Sequence, residues 1–396
     1  MKGEIVVKIT DIKQYQYVVK GGPFKRNLHF IKVETDEGIY GIGEATLRVK
    51  GPAIWECVKL LSPHLIGTSI YNVEDWFNRF FYLDAWRNGV IMNTAISAIE
   101  IAIWDAIGKK MEQPVYNLIG GKVRDTVELY THLTRVEPPY SPKEYGDAAN
   151  RILVDLGFSA LKTDTIGKHA GAFGTKLHED DIHTTITHQD LEDCVEGIAA
   201  LREAIGPKPD ILLECHAKMN YNQALWLVRK LEPYNLGFIE EPVQPDNWEG
   251  FRKLAYKSNI PIATGERLFM RWGQRRLIEE GIASIIQPDF THTGGILESK
   301  KIAAIAEAYY QRVAPHNSSG PVATIAAVHV DATIPNFYKQ EFASANLNLT
   351  PVLFKKYPVI KEGHVILDDN MPGLGFEIDL DELESSEPWV QNVMDW

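Results

Sequence analysis

Glu214, Glu240 and Glu266 each close a short apolar run, and each lies 26 residues from the next. That interval is the length of one strand–loop–helix unit, so the repeat returns an acid to the same height of a parallel sheet. A (β/α)8 barrel gathers charge at one mouth in this way. Three converging carboxylates do not stay ionised together without a cation, so the spacing predicts a divalent-metal site at that mouth.

From residue 127 onward the chain alternates short apolar runs with amphipathic stretches. Eight runs fit the pattern: 127–130, 160–162, 211–213, 237–239, 261–263, 284–286, 312–314 and 338–340. Between two of them, Leu191, Cys194, Val195 and Ile198 follow helical spacing, and residues 225–231 do so after another. Earlier, residues 5–7 and 29–33 alternate apolar with polar positions, and Thr35-Asp36-Glu37-Gly38 leads as a turn into 39–42. Helical patterning follows at 54–65, 72–82 and 94–107. The predicted fold is α/β: a TIM-type (β/α) barrel with an N-terminal α+β capping domain. The capping domain is expected over 1–122 and the catalytic barrel over 123–348. A C-terminal segment, 349–396, is expected to return to the capping domain, with a strand at 364–367 and a turn at Met371-Pro372-Gly373-Leu374-Gly375.

The 396 residues, 45% hydrophobic and 24% charged, supply enough apolar material for one large core and a smaller one. A net charge of −12 argues against a nucleic-acid partner, because such binding draws on clustered Lys and Arg. It would also repel an anionic substrate, so a metal and local cations must reverse the field at the mouth. No stretch of about 18 apolar residues is expected to span a bilayer. The opening Met1-Lys2-Gly3-Glu4 lacks the apolar core of a signal peptide. Cys57, Cys194 and Cys215 show no Cys-x-x-Cys spacing, which points to reduced thiols. A cytoplasmic homo-oligomer acting on a small molecule, with no membrane partner, is expected. Residues 167–188, Gly-rich at first and carrying His169, His178, His183 and His188, are either a functional lid or a solvated insertion.

Glu214 and His216 lie two residues apart at a strand end, so alternation predicts both facing the mouth while Cys215 faces the helices. Three hard oxygen ligands suit Mg2+ or Mn2+. His216 could be a fourth ligand or an orienting donor instead of a reacting group. Asp289 and His316 close the sixth and seventh runs, where a carboxylate can fix the imidazole tautomer and raise its basicity, making His316 a candidate general base. Glu341 completes the ring of polar groups or is a solvent-exposed cap. Lys162 and Asp164 share a face on the second run; Lys162 either holds a substrate carboxylate or serves as counter-ion to the glutamates.

These residues resemble the enolase superfamily, and within it the mandelate racemase subgroup, over nearly the whole chain. Ala95-Ile96-Ser97-Ala98-Ile99-Glu100-Ile101-Ala102-Ile103-Trp104-Asp105, followed by Pro114-Val115-Tyr116-Asn117-Leu118-Ile119-Gly120-Gly121, looks like the subgroup's N-terminal signature. Phe238-Ile239-Glu240-Glu241-Pro242 and Gly265-Glu266 look like its metal-ligand strands. Gaps of 26, 26, 23, 27 and 25 along Glu214, Glu240, Glu266, Asp289, His316 and Glu341 are similar to its sugar-acid dehydratases. The superfamily uses a Lys or His base with Mg2+ to stabilise an ene-diolate. By resemblance, Glu214, Glu240 and Glu266 hold one Mg2+ per subunit, which binds the substrate carboxylate. His316, paired with Asp289, takes the C2 proton, and His216 protonates the departing C3 hydroxyl. Glu341 and Lys162 steady the enolate oxygens, and Lys162, Asp164 and Glu341 bind substrate. The product implied is a 2-keto-3-deoxy acid.

Two departures narrow the expectation. The first ligand is Glu214 where most relatives carry Asp, and the second strand carries Lys-x-Asp instead of Lys-x-Lys. The intrinsic pKa of Asp164 is far too low to replace a lysine base, so one-sided proton abstraction and elimination are favoured over racemisation. The pattern looks most like gluconate-type dehydratases, with galactonate as the close alternative. A hydroxy-acid racemase or epimerase, and a non-catalytic metal-stabilised binding protein, are the competing readings. Residues 20–26 and 47–50 are the expected substrate-selecting loops.

Overall fold

The computed structural model describes residues 6–19, 27–47, 49–82, 86, 88–133, 141–164 and 186–385. An antiparallel meander, β1 (Ile9–Val18), β2 (Asn27–Thr35) and β3 (Tyr40–Glu44), precedes three helices, α1 (Gly51–Leu65), α2 (Val73–Tyr82) and α3 (Val90–Lys110). The β2–β3 turn forms where the sequence predicts it: the Thr35 amide donates to the Ile39 carbonyl at 3.0 Å, and Gly38 takes a φ of 73°. β1 starts at Ile9, later than the expected alternation over 5–7, of which residue 5 lies outside the described residues.

α3 lies flat on β3 because Gly41 and Gly43 have no side chains. A Cβ at either would sit 1.9 Å from the carbonyl oxygen of Ala102 or Ala98. The helix is long and apolar enough to cross a membrane by length and hydropathy, which corrects the expectation that no stretch reaches that length. Its most apolar window is 78% buried inside the protein, so it is a core helix between layers.

Eight parallel strands follow: β4 (Thr126–His132), β5 (Ala160–Thr163), β6 (Asp210–Glu214), β7 (Phe238–Glu240), β8 (Ile262–Thr264), β9 (Ile285–Ile286), β10 (Arg312–Val313) and β11 (Gln340–Phe342). β4 to β10 pair in chain order, and β11 returns to β4. The last seam is thin. Val313 bridges Phe337, its amide donates to Asn336 at 2.9 Å, and its carbonyl accepts from Tyr338 at 2.8 Å. All eight expected runs fall on these strands, but the eighth begins two residues late because 336–338 are engaged in that seam.

Inside the barrel, Tyr130, Ala160, Leu212, Phe238, Ala263, Ile285 and Ala314, from successive staves, form one apolar layer. Their neighbours Leu129, Leu161, Ile211, Leu213, Ile239, Ile262, Ile286 and Val313 face the helices in a separate core. This is the period of two expected of a pleated strand. The inner layer is a floor, and the next inward position on each stave stands above it.

The tail adds β12 (Phe354–Lys356), β13 (Ile360–Lys361), β14 (His364–Ile366) and β15 (Glu377–Ile378). β14 runs antiparallel to the start of β4. The tail also reaches the N-terminal unit: Leu374 donates its amide to Asp105 Oδ1 at 2.9 Å, and the Tyr17 hydroxyl meets Glu382 at 3.0 Å.

The N-terminal unit docks through buried acids set on the amino ends of two barrel helices. Helices Gly295–Ala308 and Pro321–Asp331 have no side-chain cap of their own. Glu100 of α3 accepts from the amides of Ile296 (2.7 Å) and Leu297 (2.9 Å), and Glu44 of β3 accepts from Gly320 (2.6 Å) and Ala323 (2.9 Å). A carboxylate there satisfies orphan donors and meets the positive end of the helix dipole.

Burial pushes the Glu100 carboxyl up to about 8, against hydrogen bonds from Leu297, Ile296 and Trp104 that favour its ionised form. An acid whose folded value lies above its unfolded one contributes stability at low pH that is lost as pH rises through the folded value. Glu100 should therefore contribute a decline in stability between pH 4.5 and about 8, and Glu100→Ala should make the overall slope shallower by that share. The substitution strands buried donors and is expected to cost about 3 kcal/mol in urea denaturation. Glu56→Ala, which breaks the exposed pair with Lys59, should cost less than about 0.5 kcal/mol.

Candidate active site

One pleat above the floor, residues 160, 212, 238 and 314 give way to Lys162, Glu214, Glu240 and His316. The third acid arrives differently. Position 265 is a glycine with φ 138°, and this left-handed step carries the chain past the strand and delivers Glu266 one residue later. Glu214, Glu240 and Glu266 each offer a carboxylate oxygen within 4.8 Å of the others. The adjacent acid Glu241 turns away to Arg267 Nη2 at 2.9 Å, and burial, with Glu266 nearby, pushes it up to about 9.

Lys162 is fully buried, with Nζ 2.7 Å from Glu240, 3.0 Å from Glu341 and 3.2 Å from Glu214. Burial alone would lower its pKa, but Glu240, Glu341 and Glu214 hold the ammonium well above the usual lysine value. Glu341 is not a solvent-exposed cap. It is 1% exposed on its side chain, and accepts from Lys162, from the Asn317 amide at 2.7 Å and from His132 Nε2 at 2.6 Å. Burial works against its charge, yet Lys162, His316 and His132 hold it well below the carboxylate range. Glu240 goes the other way: burial first, then Glu214, pushes it up to about 7, against Lys162.

His316 lies with Nδ1 2.8 Å from Asp289 Oδ2 and Nε2 3.2 Å from Glu266. Asp289 is anchored by the Thr291 amide (2.9 Å) and hydroxyl (2.6 Å) on its other oxygen. Burial opposes the imidazolium, but Glu266, Glu341 and Asp289 raise His316 well above its usual value. Just past β6, His216 sits beside Asp164, Nδ1 to Oδ2 3.4 Å, and its amide donates to Glu214 Oε1 at 2.6 Å. Strand alternation does not carry it there, because His216 and Ala217 have left-handed backbones (φ 48° and 59°). The turn brings the ring to the acids, while Cys215 packs in the core on the helix side of the strands, as expected. Burial lowers His216, but Glu214 and Asp164 raise it overall.

Every anticipated site residue is thus in or beside one constellation. Two more belong to it. His132, half-exposed, stands one pleat above Tyr130, and Gln287, one pleat above Ile285, donates to Glu240 Oε2 at 2.7 Å. Their signal was positional: each is two residues past an inward-facing floor residue. Residues 20–26, residue 48 and most of 167–188 lie outside the described residues. Of the four histidines there, His188 is described, at the start of helix His188–Ile205 and packed on Trp226.

The sequence matches the family described as mandelate racemase / muconate lactonizing enzyme, N-terminal domain, over residues 18–120, and that described as enolase C-terminal domain-like over 144–383. The chain belongs to the mandelate racemase subgroup of the enolase superfamily. D-Xylonate dehydratase of Haloferax volcanii is 33% identical over 90% of this chain and 84% of its own length. D-Galactonate dehydratase of Ralstonia pickettii is 35% identical over 88% of each. A solved member of the enolase superfamily from Salmonella Typhimurium superposes with a TM-score of 0.84 at 32% identity, covering 96% of this chain and 99% of the other. A solved mandelate racemase/muconate lactonizing enzyme from Sulfitobacter does so at 0.84 and 31%, covering 95% and 94%. Dehydratases are hydro-lyases, and this chain is an enzyme of that class.

The three glutamates fit a hard divalent cation. All three donors are carboxylates, Glu240 Oε1 is buried with no hydrogen-bond partner, and one ammonium serves two of the three. A cation there competes with the proton on Glu240. Calorimetric titration of the protein with Mg2+ should therefore show affinity rising with pH by about tenfold per unit and levelling above about 7, with proton release. An affinity that does not change with pH from about one unit below to about one unit above that value would contradict this competition.

Proposed function

We propose that this enzyme dehydrates a sugar acid, an aldonate with D-gluconate favoured, to a 2-keto-3-deoxy acid, with D-galactonate or another acid sugar as the alternative substrate. One observation carries the reading. His216 follows the third stave and His316 the seventh, four staves apart in a ring of eight, each beside its own carboxylate and next to the three glutamates. The names of the relatives, acting on D-xylonate and D-galactonate, support the aldonate class.

Mg2+, one per subunit, held by Glu214, Glu240 and Glu266, would supply the Lewis acidity that makes the C2 hydrogen removable. Glu266, Glu341 and Asp289 favour the imidazolium of His316, and the first of these charges would be taken up by a cation held at Glu266; His316, with Nδ1 on Asp289, then takes that proton at Nε2 and leaves the electron pair on an enolate. Lys162 steadies the enolate oxygens, the ionised Glu341 holds the Lys162 ammonium and His132 in place, and Lys162, Asp164 and Glu341 form the substrate-binding set. His216 gives a proton to the C3 hydroxyl, the C3–O bond breaks, and water departs. The resulting enol gains a proton at C3 as its C2 hydroxyl becomes the ketone. A division at 122/123 and 348/349, a homo-oligomeric state and a cytoplasmic setting belong to the same reading; the free cysteines support the last.

Screening aldonic and aldaric acids with Mg2+ and trapping 2-keto product with semicarbazide tests this. Product is expected with at least one aldonate. Exchange of C2 hydrogen for deuterium with no keto acid would instead mean epimerisation. His316→Asn should lower kcat at least about 10³-fold while the fold is retained by circular dichroism. Near-normal turnover of that variant would remove His316 as the base.

A further inference from the structure

The loop that carries Asp289 is moulded on α3 of the N-terminal unit. Thr94, Ser97 and Glu100 lie three residues apart on one face of that helix and meet His292, Gly294 and the 296–297 amides in turn. The fit is close: a Cβ at Gly295 would stand 2.1 Å from Glu100 Oε2. His292 belongs to none of the roles above, yet it is buried, with Nε2 3.7 Å from Asp289 Oδ2 and Nδ1 2.9 Å from the Thr94 hydroxyl.

Burial, opposed by Asp289, keeps His292 below its usual value, so the ring is neutral and carries one N–H. The carboxylate favours that proton on Nε2, which leaves Nδ1 as an acceptor. Thr94 has one hydroxyl proton and two acceptors in range, the Val90 carbonyl at 2.7 Å and His292 Nδ1 at 2.9 Å. Donation to His292 is the arrangement in which every polar group meets its opposite. Asp289 Oδ2 then faces N–H groups from both His316, at 2.8 Å, and His292, whose 3.7 Å contact is longer than a hydrogen bond and acts through the N–H dipole.

We propose that Thr94 and His292 are positioning residues for His316: through them the N-terminal unit holds the Asp289 carboxylate against the Nδ1 side of that imidazole. The proposal rests on His316 being the base. If Thr94 loses its hydroxyl, Nδ1 loses its donor and the preference for a proton on Nε2 weakens; in the other tautomer a lone pair turned on Asp289 would push the carboxylate off His316.

The test uses Thr94→Val, Thr94→Ser and His316→Asn in the full-length enzyme with Mg2+. Thr94→Val is near-isosteric and is expected to lower kcat about tenfold with KM little changed. The downfield proton resonance of His316 Nδ1–H, identified by its loss in His316→Asn, should broaden or move in Thr94→Val, and Tm should barely change. Thr94→Ser should restore both kcat and the resonance. Unaltered kcat and resonance in Thr94→Val, with His316→Asn inactive, would overturn this proposal and leave the base intact. A lowered Tm in Thr94→Val that Thr94→Ser does not rescue would also overturn it, in favour of a packing role. Turnover retained in His316→Asn would overturn the base itself, while the resonance still reports whether Thr94 acts on Asp289.

Discussion

The arrangement depends on an excess of buried negative charge above an apolar floor. Glu214, Glu240 and Glu341 are 2% exposed or less and share the single ammonium of Lys162. A like-charge pair at 4 Å costs about 4 kcal/mol at an effective dielectric near 20, so one lysine cannot neutralise three carboxylates. Protons or a cation must supply the remainder. The split between neighbours shows this pressure: Glu341, with Lys162, His316 and His132 around it, is held fully ionised, while Glu240 is pushed up to about 7. A site under such strain needs a rigid frame, and the filled layer from Tyr130 to Ala314 denies it water from below.

Buried acids also join the two units. Glu100 and Glu44 are buried, and their compensation comes from amides at the amino ends of the sixth and seventh barrel helices. The loops leading into those helices are the ones that carry Asp289 and His316. Docking and chemistry therefore share residues 289–297 and 316–323, so the N-terminal unit is part of the frame that sets the distance between Asp289 and His316. A purely steric cover would not need three consecutive polar contacts along α3.

Much of this was legible because the strand–helix unit has a nearly constant length, and acids that recur with it land at one height. The eight runs, the turn at Gly38 and the three glutamates follow from that regularity. What escaped had a local cause. Alternation fails at His216, where the backbone turns left-handed, and at Glu266, where Gly265 shifts the chain by one residue. His132 and Gln287 recur with nothing and are found only once the floor residues beneath them are known. His292 looks like loop filler in sequence; its partner Thr94 lies 198 residues away, a separation no periodicity encodes. The apolar length of α3 was missed because Glu100 and Asp105 interrupt it, and both are buried against backbone amides.

The second stave explains why proton abstraction from one side is the consistent chemistry. A racemase needs a base on each face of the α-carbon, and a lysine on this stave is a natural candidate. Lys162 cannot act so near neutrality, because its carboxylate neighbours hold it charged well above the usual lysine value. Asp164, two residues on, is engaged with His216. The stave thus offers a fixed positive charge and an orienting carboxylate, and no group that accepts a carbon-bound proton. Across the ring, His316 has the contrary arrangement, an imidazole whose Nδ1 is tied to Asp289 and whose Nε2 points toward the glutamates. In the proposed reading His316 becomes the one base once a cation takes up the charge of Glu266 against its Nε2, and His216, kept protonated beside Asp164, is the acid, an asymmetry that favours losing a hydroxyl over returning a proton.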